Sequence, residues 1–293
     1  MPELPEVETI ARGLASRVTG DVIESIWLGS KPEVLKSPAS EIASTLESKH
    51  IAGVRRVGKH IVFDLENGRR ASPPVRRKPS QKSSIAAGGV ARPKQDAAQW
   101  IVHLGMTGRM LVCKPDQVTE KHTHAVAKLA SGRELRFVDP RRFGRLSVAH
   151  GFEAAGAEPL EVEVERFVEL FRGRKTPIKS ALLNQKLLRG VGNIYADESL
   201  FRARIRSRRR AASMNRNEFA RLHSAIQEVL KEAIALGGSS VSDYVDADGE
   251  EGFFQLQHRV YGREGEPCLV CKTPIKRVVI AGRSSHYCPK CQK

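Results

Sequence analysis

The sequence predicts an α+β protein of more than one domain, and three observations carry that expectation. Residues 1–150 hold a series of short β-like runs, helical periodicity takes over beyond the GFEAAGAEP segment, and two Cys-x-x-Cys pairs close the chain. A length of 293 residues favours two domains over one, and a chain 40% hydrophobic and 28% charged can build real cores.

The first element is a helix. Pro5 suits a first helical turn, Glu6 and Glu8 suit the positive end of the helix dipole, and Val7, Ile10, Ala11 and Leu14 follow at helical spacing. From about Val22 the texture becomes VIESIWL, HIAGVRRV, HIVFDL, WIVHLGM, ELRFVD and RLSV, with Gly58 as a hairpin turn. Strands in series with no helix between them predict a β-sandwich or a barrel. Residues 67–99 break the pattern with Pro, Ser, Gly, Arg and Lys and almost no large apolar side chain, and predict a disordered insert between two strands. It is either a solvated linker or an arm that binds DNA or a partner. Beyond a linker at 151–160, Thr176-Pro177 reads as an N-cap and first-turn pair, with Ile178, Leu182 and Leu183 as a buried face. After GVGN, Ile194 to Arg204 resumes as helix. A third helix runs from about Asn217 to Leu236, and Gly237-Gly238 stops it.

Composition narrows the function. There is no run of about 18 apolar residues, which excludes a membrane-spanning helix. MPELPEVETIARGL puts acids where a signal peptide needs cations, so neither secretion nor organelle import is expected. Five cysteines in so long a chain do not make a disulfide scaffold. A formal charge of +16 points to a polyanion without saying which.

Cys268-x-x-Cys271, sixteen intervening residues and Cys288-x-x-Cys291 have the spacing of a tetrahedral four-thiolate zinc site. Protein fills all four positions, so such a metal is structural. Cys113, alone on a strand, reads as a buried apolar residue. In LLNQKLLRGVGNIYADESLF, two helices joined through Gly190 and Gly192 present either a phosphate clamp, with Asn193 adding a donor, or a plain helical hairpin. Pro2 follows an initiator methionine that a small second residue generally allows to be removed. The freed secondary amine, with an ordinary pKa near 8, can attack a sugar C1′ and form a charged iminium, with Glu3 alongside to relay protons. From residues alone, such a start carries no assignment.

Taken together, MPELPEVETIARGL, HLGMTGRM, DPRRFGRL, LLNQKLLRGVGNIYADESLF, VYGREGEPC and the terminal CxxC…CxxCQK resemble formamidopyrimidine-DNA glycosylase, in order and over nearly the whole chain. The resemblance implies an N-terminal β-sandwich bearing the catalytic helix (1–150), a helix–two-turns–helix module (161–238), a lesion-covering loop (239–257) and a four-cysteine zinc finger (258–293). It implies removal of 8-oxoguanine and formamidopyrimidines from damaged double-stranded DNA, then strand cleavage by β,δ-elimination. One structural Zn2+, a monomer, no membrane partner and a bacterial cytoplasm, on the nucleoid, complete the expectation.

Residue by residue, the resemblance makes Pro2 the nucleophile and Glu3 the acid/base, and sets Lys59 near the damaged nucleotide's phosphates. Met106, Arg141 and Phe143 match the three residues that fill the gap of an everted base, although Met106 and Phe143 would otherwise read as core. His103, Asn193 and Arg283 match phosphate contacts. Two departures stand out. Asn184 occupies a position where many relatives have an acid, and RARIRSRRRA stacks six arginines between Arg202 and Arg210, either as phosphate affinity or as a solvated basic face. The alternatives are the related endonuclease VIII type, which prefers oxidised pyrimidines, and a non-catalytic binder of damaged DNA.

Overall fold

A computed structural model describes residues 1–67, 97–239 and 252–293. The expected disordered insert therefore lies, but for its ends, outside the described residues, as does most of the expected lesion-covering loop.

Helix α1 (Leu4–Val18) opens the chain, and its apolar residues Val7, Ile10, Leu14 and Val18 are fully buried or nearly so. Eight strands follow: β1 (Val22–Leu28), β2 (Lys49–Val57), β3 (His60–Asn67), β4 (Ala98–His103), β5 (Arg109–Cys113), β6 (Thr123–Leu129), β7 (Glu134–Val138) and β8 (Arg145–His150). Their antiparallel order is β5-β7-β6-β1-β2-β3-β4-β8. β1 meets β2 through Val22↔His50 and Ile23↔Lys49, and at this short junction the sheet divides into two leaves. Phe63, Trp100 and Leu146 from one leaf share a core with Met110, Ala127 and Phe137 from the other and with α1. That shared core makes the domain a sandwich. Leu65 pairs with Ala98, so the insert does join two neighbouring strands.

The sequence pattern omits β5, β6 and a helix, α2 (Ala39–Leu46), between β1 and β2. The expectation of strands with no helix between them is thus corrected. Helices α3 (Val164–Phe171), α4 (Ile178–Leu182), α5 (Asn193–Arg202) and α6 (Arg216–Ala235) form the second domain around Tyr195, Phe167, Phe219 and Leu222. Pro177, not Thr176, is the N-cap of α4, and it makes no side-chain cap. The last element is a hairpin, β9 (Lys276–Ile280) and β10 (Arg283–Tyr287). Among the described residues, no helix is long and apolar enough to cross a membrane.

Two polar clusters lock these parts together. Arg56 on β2 donates to Glu8 on α1 at 2.8 Å and reaches Glu158 in the linker with both terminal nitrogens, while Arg189 reaches Glu158 at 3.2 Å. Lys179 on α4 and Asp197 on α5, both fully buried, pair at 2.7 Å. Asp197 also accepts from Ser285 Oγ and His286 N, and Lys179 donates to the Ser284 carbonyl, which ties the hairpin to the helices. A buried ion pair is tolerable only when its remaining hydrogen-bonding groups are satisfied in this way.

Candidate active site

The N-terminus of the chain is built into the helical domain. Leu4 belongs to that domain's core, and its N–H donates to the Gly190 carbonyl at 3.0 Å. Glu3, 4% exposed, caps α1: its side chain and that of Glu6 exchange hydrogen bonds with each other's backbone. Its carboxylate also crosses to the start of α5, where Ile194 N donates at 3.2 Å and Tyr195 N at 3.5 Å. A helix N-terminus favours negative charge, and this one is occupied by Glu3. At the GVGN turn, the Ile194 and Tyr195 N–H groups hold this carboxylate. Gly192 is required at the N-cap because a Cβ there would lie 2.2 Å from Glu3 Cδ.

Pro2, Glu3, Lys59, Met106, Asn193 and Arg283 line one cavity of about 440 Å³. Lys59 is brought there by the β2–β3 turn, where Gly58 takes φ +61°. Burial pushes the Lys59 ammonium below its ordinary range, against the pull of Glu3 and Glu6. Burial likewise lowers the N-terminal amine at Met1, with Glu3 and Glu6 opposing and with Lys59 and Arg141 reinforcing the shift. Arg283 enters from the β9–β10 hairpin, whose two-residue turn Ala281-Gly282 has φ of 47° and 75°, the left-handed pair that suits a tight hairpin. Asn193 Nδ2 faces Ser284 Oγ at 3.3 Å, so this residue also braces the hairpin.

Met106 and Phe143 are 40% and 48% exposed, which sets aside the core reading of both. They stand on the β4–β5 and β7–β8 loops. Gly105 permits these loops to touch: a Cβ there would lie 2.5 Å from Gly144 N. The Arg141 guanidinium sits 4.8 Å from the Phe143 ring centre. His103 and Phe143 line a second, adjoining cavity of about 310 Å³ rather than the first.

Several supporting residues escape sequence reasoning. Asp139, fully buried, accepts from Thr107 Oγ1 at 2.6 Å, Arg141 N at 3.2 Å and Gly144 N at 2.7 Å, so one carboxylate shapes both exposed loops. The DPRRF string was its only signal. Glu6 is enclosed by Glu3 N at 2.8 Å, Ser239 N at 2.8 Å and the Tyr195 hydroxyl, and burial with Glu3 nearby raises its pKa. Glu198 accepts from Arg259, Val260 and Tyr261 N–H groups. Asn184 Oδ1 accepts from Lys186 N at 3.0 Å, a local turn bond that a carboxylate could equally make. Of the six arginines, Arg202 pairs with Glu232 and Arg209 with Glu218, while Arg204, Arg206, Arg208 and Arg210 are exposed. Cys113 is 5% exposed on β5, as expected of an apolar residue.

The sulfurs of Cys268, Cys271, Cys288 and Cys291 all lie within 4.8 Å of one another. Cys268–Cys291 and Cys271–Cys288 are 3.9 and 3.4 Å apart, close to the roughly 3.8 Å edge of a tetrahedron with zinc–sulfur bonds of about 2.3 Å. The donor set and spacing fit zinc.

Comparison with known proteins gives a consistent result. The chain matches the formamidopyrimidine-DNA glycosylase N-terminal domain over residues 1–146, the formamidopyrimidine-DNA glycosylase H2TH domain over 155–245 and the zinc finger found in FPG and IleRS over 265–293. It is 42% identical to the formamidopyrimidine-DNA glycosylase of Solibacter usitatus and 41% to that of Desulforamulus reducens, covering all of this chain and 100% and 99% of theirs. Among solved structures, the Lactococcus lactis Fpg bound to DNA containing an abasic site superposes with a TM-score of 0.83 at 32% identity, with 99% of each chain covered. The Thermus thermophilus Fpg gives 0.80 at 38%, covering 99% of this chain and 98% of its own. The chain belongs to the formamidopyrimidine-DNA glycosylase family.

Proposed function

We propose that this base-excision-repair DNA glycosylase removes oxidised purines, 8-oxoguanine and formamidopyrimidines, and then cleaves the strand through a Schiff base on Pro2. The observation that carries the reading is the Glu3 carboxylate, buried and held by the α5 N-terminus beside Pro2 and Lys59 in one cavity. Removal of Met1 leaves a secondary amine at that place. Pro2 is buried and shares the cavity with Lys59, and the neutral form of such an amine is the nucleophile. The Pro2 nitrogen attacks C1′ as the glycosidic bond breaks, and the base leaves with the bonding pair and a proton. Opening of the sugar ring gives the iminium, which draws electrons from C2′. Loss of the C2′ proton expels the 3′ phosphate, the second elimination expels the 5′ phosphate, and water finally frees the amine. Glu3 relays protons between sugar, base and water.

Lys59 and Arg283, which line the cavity, supply positive charge for the flanking phosphates. Met106, Arg141 and Phe143 fill the vacated stack, and His103 and Asn193 contact the backbone. The division at 1–150, 161–238 and 258–293 assigns chemistry to the sandwich and grip to the other two units. One zinc per chain, held by Cys268, Cys271, Cys288 and Cys291, stiffens the hairpin that carries Arg283, and the chain acts as a monomer.

The test is borohydride trapping on duplexes carrying 8-oxoguanine or thymine glycol. A covalent adduct is expected on 8-oxoguanine, abolished or greatly weakened by Pro2→Gly. Full-strength trapping through a lysine, or a Met1 retained in the mature protein, would sink the assignment of the nucleophile. Preference for the glycol would reverse the lesion class.

A further inference from the structure

The second cavity contains more than the sequence singled out. Across three neighbouring strands, His60 on β3 is the register partner of His103 on β4, and His103 that of Arg145 on β8. Directly opposed residues share a face of the sheet, so the three form a row. Lys36, fixed by its N–H to the Leu146 carbonyl at 2.8 Å, adds a further cation to the lining. The two imidazole rings are 5.0 Å apart, and His60 meets Phe152 at 5.1 Å.

The two histidines are not equivalent. His103 Nδ1 accepts from Gly105 N at 3.1 Å, so this ring must keep its Nδ1 lone pair and offers Nε2–H as a donor while neutral. His60 Nδ1 lies 3.3 Å from the Val57 carbonyl, which can only accept, so Nδ1 carries the hydrogen and Nε2 has the lone pair. His60 Nε2 has no partner among the described residues. It can therefore gain a proton without breaking any bond, and only then can it donate to an anion.

We infer that Lys36, His60, His103 and Arg145 form a docking site for a backbone phosphodiester of bound DNA, and that His60 takes up a proton when the phosphate enters. The inference rests on the DNA-binding reading above. Lys36, from the segment before α2, is the cation that faces His60; His103 beside it is in turn faced by His60, Lys59, Arg145 and Lys36, and Arg56 on β2 donates to the Gly58 carbonyl of the same turn. Arg56 is neutralised by Glu8 and Glu158. Burial and Lys36 hold the His60 imidazolium below its ordinary range, and an arriving phosphate supplies the missing counter-charge. Linkage then requires DNA to bind more tightly as pH falls, by at most about tenfold per pH unit for one proton.

The experiment is fluorescence anisotropy at fixed ionic strength, from about pH 5.5 to about pH 8, on a duplex carrying an uncleavable tetrahydrofuran abasic analogue. Wild type is expected to tighten toward acid, with His60→Gln losing that gain and His60→Arg keeping the tight affinity across the range. NMR titration of the His60 ring in wild type guards against a variant that fails to fold: its pKa should rise on adding the duplex. The same pH slope in wild type and His60→Gln would overturn the inference, as would a His60 pKa that the duplex leaves in place. An equal rise with inorganic phosphate alone would also overturn it, because the site would then be one for a free anion. Wild type that binds no duplex at any pH would instead defeat the underlying DNA-binding reading.

Discussion

Replacing Gly192 with alanine tests the contact on which the proposed chemistry depends. The backbone there is extended, with φ −130° and ψ −158°, so alanine meets no conformational barrier. Space is the obstacle: the new Cβ would stand 2.2 Å from Glu3 Cδ and 2.4 Å from Oε1, against an ordinary carbon contact of about 3.5–4.0 Å. Relieving it requires the carboxyl group or the start of α5 to move by on the order of 1 Å, which breaks the bonds from Ile194 and Tyr195. Overpacking of this kind costs about 1–3 kcal/mol in stability, whereas misplacing a reacting group by about 1 Å can cost about 100-fold in rate. Single-turnover excision of 8-oxoguanine should thus fall about 100-fold, with affinity for the tetrahydrofuran duplex within about threefold of wild type. Gly53→Ala is the control, because nothing lies within 4 Å of a Cβ there. A folded Gly192→Ala enzyme that excises at the wild-type rate would refute the role given to the Glu3–α5 contact.

Other perturbations follow from the same structure. Cys268→Ser should release the zinc and weaken duplex binding, checked by elemental analysis and anisotropy; a metal-free chain of undiminished affinity would contradict the finger's part in grip. Burial lowers His258 from 6.5 to about 4, so the folded chain binds fewer protons than the unfolded one between those values, and stability falls as pH drops through that window. The loss is bounded at about 3 kcal/mol, and His258→Leu should flatten it in urea titrations at about pH 7 and pH 5. Glu6 acts with the opposite sign: its raised pKa gives stability that is lost as pH climbs above the carboxylate range, so the test is the difference between wild type and variant. Residues 67–99 hold eight Lys/Arg against one acid, a net +7 that leaves +9 of the +16 elsewhere. Because Leu65 pairs with Ala98, a short turn can replace residues 68–96; non-specific affinity and its salt slope should fall, with excision kept at saturating enzyme.

Local pattern was enough for much of the fold. VIESIWL is β1 residue for residue, α6 lies within one residue of its expected ends, and Gly58 and Gly237-Gly238 take the positive φ that turns and helix stops require. RMLVC and THAVAKL went unread as strands because they are short, and the alanines of the second are poor strand formers. Helix α2 escaped notice because its buried positions are just Ile42 and Leu46, too few to set a period.

By itself, the sequence determined the order of the domains, the cysteine spacing and, through the family's motifs, the side chains to which the proposed chemistry is assigned. Tertiary structure alone decided what surrounds them. Glu3 meets Ile194 across 191 positions, Glu6 meets Ser239 across 233, and Asp139 reaches back 32 residues to shape a second loop. His60 acquires His103 from a strand paired beside it and Lys36 from the segment before α2. Periodicity and capping are written over a few adjacent residues, whereas a buried carboxylate finds its donors wherever the folded chain brings unpaired N–H groups, at no spacing that the sequence prescribes.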